Sequence, residues 1–153
     1  MKTLNFAVSI NSPKEKVWRT MLDQNTYRQW AAAFAEGCYY EGSWEKGEKI
    51  KFLGPGGGEG MTSEIAENRV FELVSIRHLG YIMNGVEDTE SPEIKAWAPS
   101  YENYTFIESD GATEVRVEME STDELAEMLA GLWPKALENL KMLCESPGVI
   151  PVI

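Results

Sequence analysis

Histidine is almost missing from this 153-residue chain; His78 stands alone. Cysteine is nearly as scarce, with only Cys38 and Cys144, far apart in sequence. Without a CxxC pair or a second histidine there is no spacing for a zinc site, and no metal is expected. Positive charge is also short: 14 Lys and Arg against 25 Asp and Glu leave a net charge of −11. A nucleic-acid partner needs its phosphates neutralised, so no nucleic-acid binding is expected. An anionic membrane surface is disfavoured for the same reason. No apolar run approaches the ~20 residues that span a bilayer, so no membrane insertion is expected. The start, Met1 to Phe6, meets polar residues too early for a signal peptide. Two free or buried thiols then point to a reducing, cytoplasmic setting. There is no Gly-x-Ser-x-Gly elbow for an acyl-transfer nucleophile.

What the chain has is one long helical pattern. From Asp123 to Cys144, apolar Leu125, Met128, Leu129, Leu132, Trp133, Ala136, Leu137, Leu140 and Leu143 recur at three- and four-residue steps. That stripe predicts a helix of about six turns with one buried face. Pro134, behind Gly131, is expected to kink or split it.

Before that helix the periodicity is mostly that of strands. Leu4, Phe6, Val8 and Ile10 alternate on one face. Ser12, Pro13 and Glu15 read as N-cap, first helical residue and capping box of a short helix burying Val17, Trp18, Met21 and Leu22. A second cap at Asn25-Thr26 opens a brief turn of helix carrying Tyr27 and Trp30. Strands are expected at 38–44, 48–53, 61–67 and 70–78. A hairpin pairs 101–108 with 113–120 around Ser109-Asp-Gly-Ala112. Residues 79–100 read as an irregular segment whose apolar members, Tyr81, Ile82, Met83, Ile94 and Trp97, suit a lid. The sum is an α+β domain over 1–145: one antiparallel sheet of six to seven strands around the C-terminal helix, with two short helices after the first strand. An apolar tail, 146–153, is expected to dock on the domain or on a partner.

Several segments carry a family likeness: Ser12-Pro-Lys-Glu-Lys-Val-Trp18, the Trp30 region, Gly42-Ser-Trp-Glu-Lys-Gly-Glu-Lys-Ile50 and Phe52-Leu-Gly-Pro55. Tyr101-Glu-Asn-Tyr-Thr105 and Gly131-Leu-Trp-Pro-Lys-Ala-Leu-Glu-Asn-Leu140 complete the set. In this order they resemble the START-related helix-grip superfamily, SRPBCC. Within it the chain is similar to the heat-shock protein 90 ATPase activator-like family. The resemblance implies a helix-grip fold, in which sheet and long helix enclose a cavity. It does not imply one activity, because the superfamily includes lipid carriers, polyketide cyclases and hormone receptors. In the eukaryotic co-chaperone a separate N-terminal domain carries much of the chaperone contact. Here the chain opens at the first strand of the helix-grip domain, so ligand binding is expected ahead of ATPase activation.

Candidate site residues follow from composition. The five tryptophans each need a partner for the indole N–H when buried, and methionine suits an adaptable pocket. Trp30, Phe34, Met61, His78, Trp97, Tyr104, Met128 and Trp133 are the expected cavity residues. His78, with Glu41 or Glu64 as an orienting carboxylate, is the one group suited to acid–base work, although a structural role is expected of it. The glycine loop 54–60 leads into a strand, not into the helix start a phosphate loop requires, and reads as a hairpin connection at the cavity rim.

The expected function is binding of a small apolar or amphipathic molecule, with no catalytic residue and no cofactor. One alternative is an enzyme of the cyclase or hydrolase kind in the same cavity; its mark is a partnered ionisable group facing that cavity. Another is a chaperone-associated interaction module, marked by a filled core and an exposed apolar patch. A homodimer or a protein partner is compatible with either.

Overall fold

The computed structural model describes residues 1–146. The expected tail lies, from Pro147 onward, outside the described residues. Eight strands form one antiparallel sheet: β1 Lys2–Ile10, β2 Tyr39–Gly42, β3 Lys49–Leu53, β4 Gly60–Arg69, β5 Leu73–Met83, β6 Val86–Asp88, β7 Ser100–Ser109 and β8 Ala112–Ser121. Their spatial order is β1-β8-β7-β5-β4-β3-β2, with β6 paired to β5 off that path. Helices α1 (Lys14–Leu22) and α2 (Gln24–Trp30) follow β1, and α2 runs into a 3-10 turn at Ala31–Ala33. A short α3 (Pro92–Lys95) precedes β7, and α4 spans Asp123–Glu145. This is the α+β helix-grip architecture.

α4 begins where Thr122 accepts a hydrogen bond from the Leu125 amide, with Asp123 and Glu124 beside the positive helix end. Ala126, Trp133, Ala136, Leu137, Leu140 and Cys144 form its buried face. The helix is not split at Pro134 and runs unbroken from Asp123 to Glu145. Pro134 and Ala130 both lie on the exposed side, so the Ala130 carbonyl that loses its partner can turn to water.

The start of α1 also differs from the capping-box expectation. Pro13 takes the cap position, with no side-chain cap. Ser12 is buried, and its carbonyl accepts the Thr113 hydroxyl at 2.7 Å. The exposed amide of Lys14 is capped from β7 by Glu108, at 2.7 Å. A carboxylate brought in by the fold does the work expected of a neighbour in sequence.

Residues 79–100 are more regular than expected. β5 runs on to Met83, and Asn84-Gly85, at φ 52° and 76°, make a two-residue turn into β6. Two positive φ values in succession are what a type I′ hairpin turn requires. Asp110-Gly111 make the corresponding turn between β7 and β8.

At the β8-end of the core, Ile10, Val115, Phe106, Val74 and Ile76 pack with Val17, Trp18, Met21, Leu137 and Leu140. At the other end, beside the N-terminal half of α4, the space is not filled.

Candidate functional site

Side chains alternate across a strand, so the face toward α4 is set by parity. On β7 that face carries Ser100, Glu102, Tyr104 and Phe106; on β4 it carries Met61, Ser63 and Ile65. On β5 it carries Val74, Ile76 and His78, and then the parity changes. Ser63 pairs with His78 but Thr62 pairs with Gly80, leaving Leu79 as an extra residue. This bulge turns Tyr81, not Gly80 or Ile82, toward α4. His78 and Tyr81 thereby line the same space.

That space is a cavity of about 220 Å³. Tyr27, Trp30, Tyr104 and Trp133 form its buried wall, and Phe34, Phe52, Met61, Trp97 and Leu129 its half-buried rim. Trp133 organises the aromatics: its ring lies 5.0 Å from Phe34, 5.9 Å from Tyr104 and 6.0 Å from Trp30, and it stacks on Phe6 at 6.1 Å. Trp30 donates its indole N–H to the Met21 carbonyl at 3.0 Å, so its polar atom is satisfied away from the cavity. Trp97 packs against Tyr81 at 4.8 Å and brings the segment after α3 to the rim.

One part of the wall is polar. His78 Nδ1 and Ser63 Oγ are 2.7 Å apart, and His78 Nε2 lies 3.0 Å from Glu102 Oε1. Tyr104 donates its hydroxyl to the other oxygen of Glu102. Phe52 meets the His78 ring edge-on at 5.8 Å. Burial, then the negative charge of Glu102, raise the Tyr104 pKa well above its ordinary value. Burial is likewise the main cause for Tyr27, with the Glu102 charge contributing. Both phenols therefore remain neutral donors. Ser63 is fully buried and does not line the cavity, so it orients the imidazole and is not placed to attack a ligand. No cluster of three or more His, Cys, Asp or Glu that could hold a metal occurs among the described residues.

Residues 11–145 match the family described as Activator of Hsp90 ATPase homolog 1-like protein. The chain belongs to this family. No curated protein matches it. Among solved structures it is similar to the Aha1 dimer from Colwellia psychrerythraea, at 21% identity over 97% of this chain and 99% of that one, with a TM-score of 0.70. DynU16, from the dynemicin biosynthetic locus, is 16% identical over 99% of this chain and 49% of that one, TM-score 0.71. CalU16 from Micromonospora echinospora is 19% identical over 96% and 78%, TM-score 0.63. At these identities the likeness is one of fold.

In this member of the Activator of Hsp90 ATPase homolog 1-like family, Trp30, Phe34, Met61, His78, Trp97, Tyr104 and Trp133 all border one cavity. Met128 does not. It is 53% exposed, because α4 aims Leu125, Leu129 and Trp133 at the cavity and residue 128 lies a ~100° rotation from Leu129. The carboxylate beside His78 is also not one of the two expected. Glu41 is exposed, and Glu64, between inward Ser63 and Ile65, points to the opposite face and pairs with Arg77 at 2.8 Å. Glu102 takes that place. Its signal was present in β7: Tyr104 and Phe106 mark the inward parity, and Glu102 is the next inward position. The 54–60 loop connects β3 to β4, closed by the Gly54 amide on the Glu59 carbonyl at 2.8 Å.

Proposed function

We propose that this chain binds a small, ring-sized apolar or amphipathic molecule between the sheet and α4. The observation that carries the reading is the space that Trp30, Trp97, Trp133 and their neighbours leave unfilled, walled by aromatic rings and one polar patch. Protein interiors are otherwise close-packed, and an empty cavity of this size costs stability. About 220 Å³ is above the ~150 Å³ that holds benzene and below the ~300 Å³ where drug-sized pockets begin. One or two fused rings, or a short acyl chain, fit; a longer ligand would protrude past Trp97 and Leu125. Apolar burial supplies most of the affinity, so salt should matter little. The test is calorimetric titration with naphthalene-sized probes, with thermal melts alongside. Saturable binding and a Tm that climbs once probe exceeds Kd are expected. Absence of saturable heat and of any Tm shift across the series would overturn the reading.

A second reading is favoured by the Ser63–His78–Glu102 chain, the partnered ionisable group that marks an enzyme. Here Glu102, oriented by His78 and Tyr104, would take a proton from the bound molecule. Recovery of an altered ligand, lost in Glu102→Gln, separates turnover from binding. The interaction-module reading has less support, because the core beside α4 is open. The Colwellia relative is a dimer, and self-association of this chain, if present, would show as a doubled mass in light scattering. The free thiols of Cys38 and Cys144 suit a reducing cytoplasm.

A further inference from the structure

A carboxylate in an aromatic cavity determines which ligands the cavity accepts. Glu102 has a side chain only 13% exposed and lines the wall. Its two nearest donors are spent on it: His78 from Nε2 and Tyr104 from its hydroxyl. The Ser63 hydroxyl on Nδ1 holds the imidazole in that orientation. A carboxylate offers about four acceptor positions, so roughly two stay open to a ligand. No lysine or arginine lines the cavity among the described residues. Met1 also lines it, with its N-terminal ammonium 3.8 Å from Asp123. Glu120, also in the wall, is engaged by the Tyr101 amide at 3.0 Å and adds negative charge.

We propose that the ligand carries a hydrogen-bond donor, a hydroxyl or an amine, on a ring-sized apolar body, and that anionic ligands such as fatty acids are rejected. The inference rests on the cavity being a binding site. A donor head gives Glu102 a charge-assisted hydrogen bond, which is stronger than a neutral one. An ammonium gains in addition from the faces of Trp30, Tyr104 and Trp133. A carboxylate meets the like charges of Glu102 and Glu120 and finds no lysine or arginine in the lining to pair with, while the Met1 ammonium already faces Asp123.

Four probes of one shape test this at pH 7: 1-naphthalenemethanol, 1-naphthylmethylamine, 1-methylnaphthalene and 1-naphthoate, each titrated calorimetrically. The alcohol and the amine should bind about tenfold more tightly than methylnaphthalene, and naphthoate most weakly. In Glu102→Gln the advantage of the alcohol should shrink to within about threefold and naphthoate should gain relative to it. Naphthoate binding as tightly as the alcohol, with methylnaphthalene still bound, overturns the donor inference and leaves the cavity reading standing. No binding by any probe overturns the cavity reading itself. If circular dichroism shows that Glu102→Gln does not fold, the wild-type ranking decides. There the cationic amine must keep its advantage over methylnaphthalene between about 0.05 and 0.5 M salt, where attraction to the acidic surface is screened. An alcohol that binds no better than methylnaphthalene overturns the inference.

Discussion

Trp133 belongs both to the core and to the cavity wall. It is 2% exposed and touches Phe6, Trp30, Phe34 and Tyr104. Trp133→Ala should cost about 3–5 kcal/mol in urea melts, since the enlarged cavity cannot collapse against a rigid sheet. A loss below about 1 kcal/mol would mean that the indole lines an open pocket and is not core. Cys144 gives a pH signature. Burial raises its thiol from the ordinary 9.0 to about 11. A folded-state pKa above the unfolded one contributes stability that is present below about pH 9 and lost as pH rises toward 11. Cys144→Ala should therefore be less stable at neutral pH but show a flatter stability profile across that window. Denaturant melts at neutral pH and in the alkaline window measure it, and identical slopes in both proteins would refute it.

At the scale of elements, what was legible was mostly what is local. The stripe on α4, the alternation of β1 and the Asp110-Gly111 turn are neighbour relations, and neighbour relations are written in sequence. Asn84-Gly85 is of the same kind. Flanked by Tyr81, Ile82, Met83 and Val86, it has the chemistry of a type I′ turn, although Pro92 and Pro99 break the periodicity of the longer stretch around it. The hairpin is held further by Glu87, whose carboxylate meets Lys49 at 2.6 Å and Thr62 at 2.5 Å. The Lys49 hydrogen bond, then that of Thr62, lower its pKa to about 2. Gly85 sits at φ 76° with open space around it, so Gly85→Val is strained by backbone conformation alone. It should destabilise by about 1–2 kcal/mol and loosen Trp97 from Tyr81. Hydrogen exchange faster at residues 81–88 than in β7 and β8 is the expected readout; unchanged exchange there would count against the hairpin's role at the rim.

At the scale of the whole molecule, the cavity is a defect that the fold tolerates. Filling it should therefore help folding and abolish binding together. Leu129→Trp, on the rim, should raise stability by about 0.5–2 kcal/mol without probe, and should remove saturable probe heat. A variant that gains stability but still binds would place the binding site elsewhere. One that loses stability would show that the space is too narrow for an indole.

The sequence by itself determined the class of fold. Periodicity switches from two to three-and-four at Asp123, the turn residues space the strands, and the motifs from Ser12 to Leu140 place the chain among helix-grip proteins. It also determined which residue types are available to a pocket, tryptophans and methionines above all. Tertiary structure decided what no window of sequence contains. The bulge at Leu79 depends on how β5 registers against β4, and it alone brings Tyr81 beside His78. The His78–Glu102 contact joins strands β5 and β7 across the sheet, and the choice of Glu102 over Glu41 and Glu64 is one of strand parity once the register is set. Met128 is turned outward by a rotation of α4 that an apolar stripe wider than the buried face leaves open. Each of these depends on contacts between residues distant in the chain, where packing and register, not local propensity, decide the energy.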